Sequence, residues 1–502
     1  MTTLLERSGA IDAPPNPPPR SRWRLPLIFG ALLLVTVALR LPAYTVPVFN
    51  SDETFLATQA NVIVDGGRLY HDAVDRKPPL VPYLYAAVFA VTGSNHLGWI
   101  RTLAMGSVAL TGLLLVVEGR RRYGTRAGVL AGFLFVFASV SFAPQDGQAA
   151  NFEVFMLPAM TAAVLLARQD RFAGSGVAVA VATLAKQTGA ATLLPVLYLA
   201  WRAGRRATVT RAGLGFAIPL GVVAILVGPG QLLFWAVLGN GSYLGIGSAS
   251  FYVIGVFAVM TAAFVLCNAP VVASTVAAWH HRHDRDDVDL WLWLASGAIS
   301  IAVGFRFFGH YYLQLLPPLC LLAGGALATA TGRIRTIAVA TAAVIAVGFS
   351  IMGHVAQPFG EEPQYHAVSR FIEANASETE RILVWGALPE VYWASNRRPA
   401  TRFASNSFVT GHWGGRPQGD LSADLATPDA LGQFLGDFAA HPPRYVLDTS
   451  PAAIRDAQYY PLSQFPSIDA LIRANYRYVR SIDGIAIYER KRGARVYPSA
   501  DE

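Results

Sequence analysis

Charged residues are scarce in this sequence, and their scarcity excludes an ordinary soluble globular protein. Only 14% of residues are charged and 53% are hydrophobic, with a mean hydropathy of +0.39, whereas soluble proteins carry about 25% charged residues. Most of the surface must therefore face lipid. The net charge of +8 comes from arginines at the ends of apolar segments. That pattern is typical of membrane topology, so we predict no nucleic-acid partner.

Cysteine, lysine and the common nucleotide-binding motifs are also nearly or wholly absent. Cys267 and Cys320 both fall inside apolar segments, so we expect free buried thiols and no disulfide. The only lysines are Lys77, Lys186 and Lys491. The sequence contains no P-loop, Rossmann glycine motif, His-Glu-x-x-His or Gly-x-Ser-x-Gly, and a nucleotide-sugar site is therefore not indicated.

Eleven apolar segments predict about eleven transmembrane helices, since a helix needs about 20 apolar residues to cross a bilayer. They lie near 25–43, 97–117, 126–142, 153–168, 172–185, 188–201, 212–228, 252–279, 288–304, 311–331 and 335–353. The apolar run at 79–92 is too short to span and is predicted to lie as a helix at the outer membrane surface. Residues 1–24 are rich in proline and arginine and are predicted to form a disordered cytoplasmic tail.

Arginine clusters mark every second loop and predict the orientation. The alternate loops near 143–151 and 229–250 contain no lysine or arginine. The positive-inside rule then places the N-terminus in the cytoplasm. An odd number of spans places residues 354–502 outside, and the predicted location is the cell (plasma or inner) membrane.

The composition changes sharply after residue 353 and predicts a small extracytoplasmic α/β domain over 354–502. Short buried strands are expected at 381–386 and 444–448, with a hairpin at 476–490 turning at Asp483-Gly484. Helical patterns near 363–376 and 466–474 alternate with them. Aromatic and arginine residues at 385–398 fit a sugar-binding face or, more commonly for aromatics beside a strand, a core.

The first external loop, 44–96, holds a concentration of charge in a protein that otherwise has little. Its acidic, basic and histidine residues up to the interfacial helix are Asp52, Glu53, Asp65, Arg68, His71, Asp72, Asp75, Arg76 and Lys77. Two adjacent carboxylates where the chain leaves the membrane cost desolvation free energy unless water, a cation or a substrate interacts with them. A desolvated carboxylate has a raised pKa and makes a better base. The alternative is a solvated loop in which Ser51 or Asp52 caps a helix.

Three motifs of this loop resemble those of the GT-C glycosyltransferases. They are Ser51-Asp52-Glu53, Asp65-Gly66-Gly67-Arg68-Leu69-Tyr70 and Lys77-Pro78-Pro79-Leu80. The resemblance covers roughly residues 25–330 and is to the branch with protein O-mannosyltransferases and aminoarabinose transferases of lipid A. It implies a GT-C-like transmembrane domain over 25–353 and a polyprenyl-phosphate sugar as co-substrate. Asp52 would be the general base and Glu53 its neighbour in the site.

The resemblance extends to further residues at predicted outer helix ends. Asn151 and Glu153 would form a second polar or acidic site, although Glu153 also suits a first helical turn. Lys77, Arg306, His310 and Tyr311 would bind the donor phosphate, with Lys186 and Arg76 as further candidates. Alternatively, Arg306 snorkels, His310 is interfacial and Lys186 lies in a loop.

The predicted reaction is a single displacement with inversion at the anomeric carbon. The acceptor hydroxyl needs a base, and the leaving phosphate needs positive charge. The acceptor is a lipid, a polysaccharide or a protein, and a divalent metal requirement stays open. The competing hypotheses are a flippase for a lipid-linked sugar, which predicts mid-membrane polar residues and repeats, and a non-catalytic anchor for the C-terminal domain.

Overall fold

The structure is a computed structural model that describes residues 24–240, 250–280, 286–355, 364–412 and 425–493. Most of the predicted tail and His281, His283 and Asp284, which we interpret as a solvated cytoplasmic loop, lie outside these ranges. Sixteen described helices precede the C-terminal domain: α1 Arg24–Leu39, α2 Ser51–Val64, α3 Leu80–Thr92, α4 Leu97–Tyr123, α5 Thr125–Ala138, α6 Pro144–Gln148, α7 Phe152–Ala167, α8 Phe172–Ala185, α9 Leu193–Gly204, α10 Arg206–Val227, α11 Pro229–Ala236, α12 Ser250–Cys267, α13 Ala269–His280, α14 Val288–Ala302, α15 Leu316–Thr329 and α16 Gly332–Val355.

Helices occupy all eleven segments predicted to span the membrane. Five described stretches are long and apolar enough to cross by length and composition: Leu97–Tyr123, Arg206–Val227, Ser250–Cys267, Gly309–Thr329 and Gly332–His354. Shorter apolar helices cover most of the remaining segments and also the run predicted at 79–92.

Three predicted spans differ in detail from the structure. The segment 311–331 begins within a 3-10 segment, Gly309–Leu315, and continues as α15. The segment 252–279 forms two helices, α12 and α13, because Pro270 lacks the N–H that would continue the hydrogen-bond ladder. The segment 188–201 opens with a 3-10 turn, Gln187–Thr192, before α9 begins.

Small residues let the central helices pack backbone to backbone. A Cβ placed on Gly128 of α5 would lie 2.3 Å from the Val116 carbonyl oxygen of α4, and one on Gly324 of α15 would lie 2.6 Å from the Ala127 oxygen. Such contacts are the usual basis of helix association in lipid, where apolar burial contributes little between helices. They fix α4, α5 and α15 as one rigid core.

The C-terminal domain is a four-stranded sheet flanked by helices. The strands are β1 Ile382–Trp385, β2 Tyr445–Asp448, β3 Tyr476–Ile482 and β4 Ile485–Arg490, in the order β1-β2-β4-β3. β1 and β2 are parallel, and the other pairs are antiparallel. Its helices are α17 His366–Asn375, α18 Glu390–Ser395, α19 Ser407–Thr410, α20 Ala430–Ala440 and α21 Pro466–Asn475. The predicted hairpin turns at Asp483-Gly484, where both residues have positive φ.

The sheet domain is joined to the first loop by specific contacts. Arg398 donates to Asp65 at 2.6 Å, and the Trp393 indole donates to the Asn95 carbonyl at 2.8 Å. Trp385 and Tyr392 are almost fully buried. These aromatic residues therefore belong to the core or to the domain junction, as the alternative interpretation expected.

The end of the helical bundle formed by the C-terminal ends of α4, α7 and α9 is held by ion pairs, of which the pair of Arg122 with Asp289 is buried and the pair of Arg202 with Asp286 is exposed. Arg122 of α4 binds both oxygens of Asp289 at 2.5 and 3.1 Å, and Arg168 after α7 binds the same carboxylate. Arg202 of α9 pairs with Asp286 at 2.5 Å. Three of the arginines that predicted the topology thus also tie helix ends together.

Candidate active site

The first candidate residue, Asp52, lies at the start of α2. Asn50 caps this helix, since its side-chain oxygen accepts the Asp52 N–H at 2.6 Å. The predicted cap at Ser51 or Asp52 is therefore wrong. Because Asn50 supplies the cap, the Asp52 carboxylate is not required for it.

Asp52 pairs with Lys77, which is 25 residues later and immediately before α3. Lys77 Nζ lies 3.4 Å from Asp52 Oδ2, and the two side chains are 24% and 33% exposed. Burial alone would raise the pKa of Asp52, but the charges of Lys77 and His310 hold it below its usual value. The expectation of a raised pKa is thus wrong, because a cation sits beside the carboxylate.

Glu53 has a different environment from its neighbour. Its side chain is fully buried and takes two hydrogen bonds from Arg101 of α4, at 2.6 and 2.8 Å. It also accepts the Ala150 N–H at 2.9 Å. This carboxylate therefore joins α2, α4 and the backbone just before α7, and its oxygens are already occupied.

The start of α7 supplies the second pair of predicted residues. Glu153 binds Lys186, which ends α8, and Lys186 Nζ also lies 3.8 Å from the centre of the Tyr311 ring. Lys186 is buried, so it faces a polar cluster and not a solvated loop. Glu153 Oε2 and both polar side-chain atoms of Asn151 are buried without a hydrogen-bond partner among the described residues.

His310 completes the cluster from the segment before α15. Its Nδ1 lies 2.6 Å from Asp146 Oδ1 in α6, and its Nε2 lies 3.9 Å from Glu153 Oε1. The ring is buried and stacks on Phe308 with a centroid separation of 5.7 Å. Asp146 and Glu153 together favour a positively charged imidazole at this position.

A single glutamine brings the two lysines together. The side-chain amide of Gln187, next to Lys186, donates to the Arg76 carbonyl at 2.6 Å and to the Ala236 carbonyl at 3.0 Å. Lys77 Nζ in turn lies 4.1 Å from the centre of the Phe152 ring at the start of α7. Two lysines that are more than a hundred residues apart in sequence therefore lie at one site.

Arg306 and Arg76 are placed against the C-terminal domain. Arg306 is buried, so it does not snorkel, and its charge adds to burial in lowering the pKa of His412. Arg76 donates to Thr427 at 3.3 Å and lies 5.7 Å from the Phe408 ring centre. Both arginines thus lie where the sheet domain meets the bundle.

The carboxylates of the cluster are already matched by cations of the chain. Lys77 forms an ion pair with Asp52, Arg101 with Glu53 and Lys186 with Glu153. A divalent cation prefers several free carboxylate oxygens, and the described residues contain no group of three or more histidine, cysteine, aspartate or glutamate side chains suited to a metal. The described residues do not fit a metal centre.

Sequence reasoning missed two residues, Arg101 and Asp146. Arg101 lies inside a predicted span, where a charge is costly in lipid and indicates a buried partner; that signal was available. Asp146 is the only acidic residue of the loop 143–151, which the arginine pattern predicts to be external. Its partner His310 is 164 residues away, so only the folded chain identifies the contact.

The arrangement suits transfer to a hydroxyl with departure of an anion. A carboxylate that is one-third exposed stands beside two lysines and a histidine, all buried or half-buried. Unpartnered amide and carboxylate atoms at Asn151 and Glu153 are suited to bind hydroxyl groups of a polar ligand. Cations at such a site stabilise a leaving phosphate.

Comparisons with known proteins agree with the fold. The family model of dolichyl-phosphate-mannose-protein mannosyltransferases matches residues 76–229, and no curated protein matches the chain. ArnT from Cupriavidus metallidurans, solved bound to undecaprenyl phosphate, is 13% identical with a TM-score of 0.63, covering 94% of this chain and 99% of that one.

Archaeal structures match as well. The oligosaccharyltransferase of Archaeoglobus fulgidus, in complex with Zn and sulfate, is 14% identical with a TM-score of 0.54, covering 92% of this chain and 73% of that one. AglB of the same organism, with an inhibitory peptide and a dolichol-phosphate, is 13% identical with a TM-score of 0.52, covering 94% and 74%. The resemblance to the GT-C glycosyltransferases is confirmed at the level of the fold: the chain has a multi-pass helical membrane domain, followed by a small C-terminal α/β domain.

Proposed function

We propose that this protein is an inverting glycosyltransferase that moves a sugar from a polyprenyl-phosphate donor to an acceptor hydroxyl. The observation that carries the proposal is the cluster of Asp52, Lys77, Glu153, Lys186 and His310 at one end of the bundle. The match to the mannosyltransferase family model supports the same reaction class. The acceptor is a lipid, a glycan or a protein.

The donor phosphate fits between the cations of this cluster. Lys77, Lys186 and His310 all lie within electrostatic reach of Asp52, and the buried amide of Asn151 lies one residue before α7, which carries Glu153. We assign the phosphate to these three cations and the sugar hydroxyls to Asn151 and Glu153. Tyr311 holds Lys186 in place through its ring face.

Asp52 is the proposed base, and Lys77 regulates it. Without donor, Lys77 pairs with Asp52 and lowers its pKa. When the donor phosphate attracts Lys77, the carboxylate loses its nearest cation and its basicity rises. The acceptor proton then passes to Asp52 as the hydroxyl oxygen bonds to the anomeric carbon and the polyprenyl phosphate leaves.

The proposal places the site at the outer face of the cell membrane. In this proposal the transferase domain comprises residues 25–353. Residues 1–24 form the cytoplasmic tail, and residues 354–502 form the external domain. Glu53 is assigned a structural role, since Arg101 and Ala150 already occupy its oxygens. Arg306 and Arg76 are assigned to the junction with the external domain.

The test uses purified protein, labelled polyprenyl-phosphate sugars and a cell-envelope extract as the pool of acceptors. We expect release of polyprenyl phosphate together with label in an envelope product, and loss of both with Asp52→Asn. A protein that binds donor but releases no polyprenyl phosphate with any sugar or extract would contradict the enzyme and favour a flippase.

A further inference from the structure

Asp146 connects Asn50, which caps α2, to His310, which precedes α15. Its Oδ1 accepts the Asn50 amide at 3.2 Å and lies 2.6 Å from His310 Nδ1. Asn50 in turn caps α2 at Asp52, with 2.6 Å between its oxygen and the Asp52 nitrogen. One carboxylate oxygen therefore links the helix that presents the base to the histidine before α15.

The surrounding backbone is built to hold Asp146 in this position. Ala143, which precedes α6, has a φ of 47°, a conformation that most side chains avoid. At the other end of α6, the Gln148 amide donates to the Leu39 carbonyl at 3.0 Å. The five-residue helix thus begins at a sharp turn of the backbone and is held at its other end by Gln148, and Asp146 is buried within it.

Gly309 permits the close approach of the histidine segment. A Cβ at this position would lie 2.5 Å from Asp146 Oδ2 and 2.6 Å from the Ala143 Cβ. No side chain is accommodated at those distances without displacing α6. The absence of a side chain at 309 is therefore a requirement of the Asp146–His310 contact.

The contact determines which nitrogen of His310 faces the site. Nδ1 faces the Asp146 carboxylate at 2.6 Å and Nε2 faces Glu153, 3.9 Å away. With a proton on Nδ1 donated to Asp146, Nε2 carries a proton as well when the imidazole is cationic. The separation of Nε2 from Glu153 exceeds a hydrogen bond of about 3 Å, so Nε2 retains its donor capacity for a ligand oxygen. A carboxylate behind an imidazole also stabilises its cationic form.

We propose that Asp146 is a positioning residue that directs the charged His310 Nε2–H toward the leaving phosphate and, through Asn50, couples it to the Asp52 helix. The inference rests on the proposed function, because it presumes that His310 contacts the donor phosphate. Asp146 acts through His310 and touches neither substrate.

The experiment measures binding of undecaprenyl phosphate to the purified full-length protein as wild type, Asp146→Asn, His310→Gln and the double variant. Each single change should weaken binding about tenfold or more, as loss of a charged hydrogen bond does. The double variant should bind no more weakly than His310→Gln alone, because both changes remove one shared interaction. A merely structural Asp146 would instead give additive losses.

Two further variants keep the test decisive. Asp72→Asn breaks an exposed aspartate–histidine pair of 3.0 Å with His71 and should bind undecaprenyl phosphate as the wild type does. Gly309→Ala keeps the carboxylate but displaces it, so it should weaken binding as Asp146→Asn does, and it replaces that variant if Asp146→Asn does not fold.

The outcomes separate this inference from the proposed function. Wild-type protein that binds while Asp146→Asn binds equally well, or additive losses in the double variant, would overturn the role of Asp146 alone. Wild-type protein that does not bind undecaprenyl phosphate at all would overturn the proposed function and this inference with it.

Discussion

Helix α7 has a buried carboxylate near each end, but the two carboxylates differ in how many of their oxygens have a hydrogen-bond partner. Beyond its C-terminal end, Asp289 receives hydrogen bonds on both oxygens from Arg122 and Arg168. At its N-terminal end, Glu153 binds Lys186 through one oxygen, and its other oxygen has no partner among the described residues. A closed network stabilises a fold, whereas an open one retains capacity for a ligand.

The largest expected effect concerns which end of this helix faces outside. In a background without Cys267 and Cys320, cysteine at the exposed Ser377 should react fully with an impermeant thiol reagent in intact cells. Cysteine at the exposed Ala207, after α9, should react only after lysis. The reverse labelling would place the open cluster in the cytoplasm and contradict the proposed topology.

The second effect concerns catalysis at the open end. Asp52→Asn should lower sugar transfer about a hundred- to ten-thousand-fold, the usual loss for a general base. Donor binding and membrane insertion should persist, because Asn50 and not Asp52 caps the helix. Turnover and binding are measured separately, with the exposed Asp72→Asn variant as the control. Transfer at the wild-type rate would exclude Asp52 as the base.

The third effect tests the closed end. Asp289→Asn leaves Arg122 and Arg168 without their shared partner and should destabilise the protein by about 3–5 kcal/mol, measured by thermal unfolding in detergent. Glu153→Gln should lower donor turnover strongly and the melting temperature much less. If the two variants show the same stability loss, the distinction between closed and open clusters fails.

The smallest effect is a shift in pH dependence. A lowered pKa keeps Asp52 ionised as the pH falls, so the acid limb of kcat/KM in the wild type should lie below the ordinary aspartate value of about 3.9. Lys77→Met removes the nearest cation and should move this limb to higher pH. Lys77→Arg retains the charge and should leave it in place. If the acid limb of Lys77→Met lies at the wild-type pH, Lys77 does not lower the pKa of the catalytic base.

Prediction from sequence succeeded where the signal was local. Apolar length located the helices, and Asp483-Gly484 located the hairpin turn because a two-residue turn needs positive φ. It was wrong for the α2 cap, where three successive polar residues, Asn50 to Asp52, all suit an N-cap. It was also wrong for the direction of the Asp52 pKa, because Lys77 is 25 positions away and no periodicity pairs them.

The sequence by itself determined that this is a polytopic membrane chain with a small α/β domain, since composition and segment length follow directly from contact with lipid. Only the tertiary structure decided the partners of the adjacent carboxylates. Glu53 turns inward to Arg101 and Asp52 turns toward Lys77, because successive helical residues point about 100° apart. The link from Asp146 to His310 spans 164 residues, and such a contact exists only once the helices have packed.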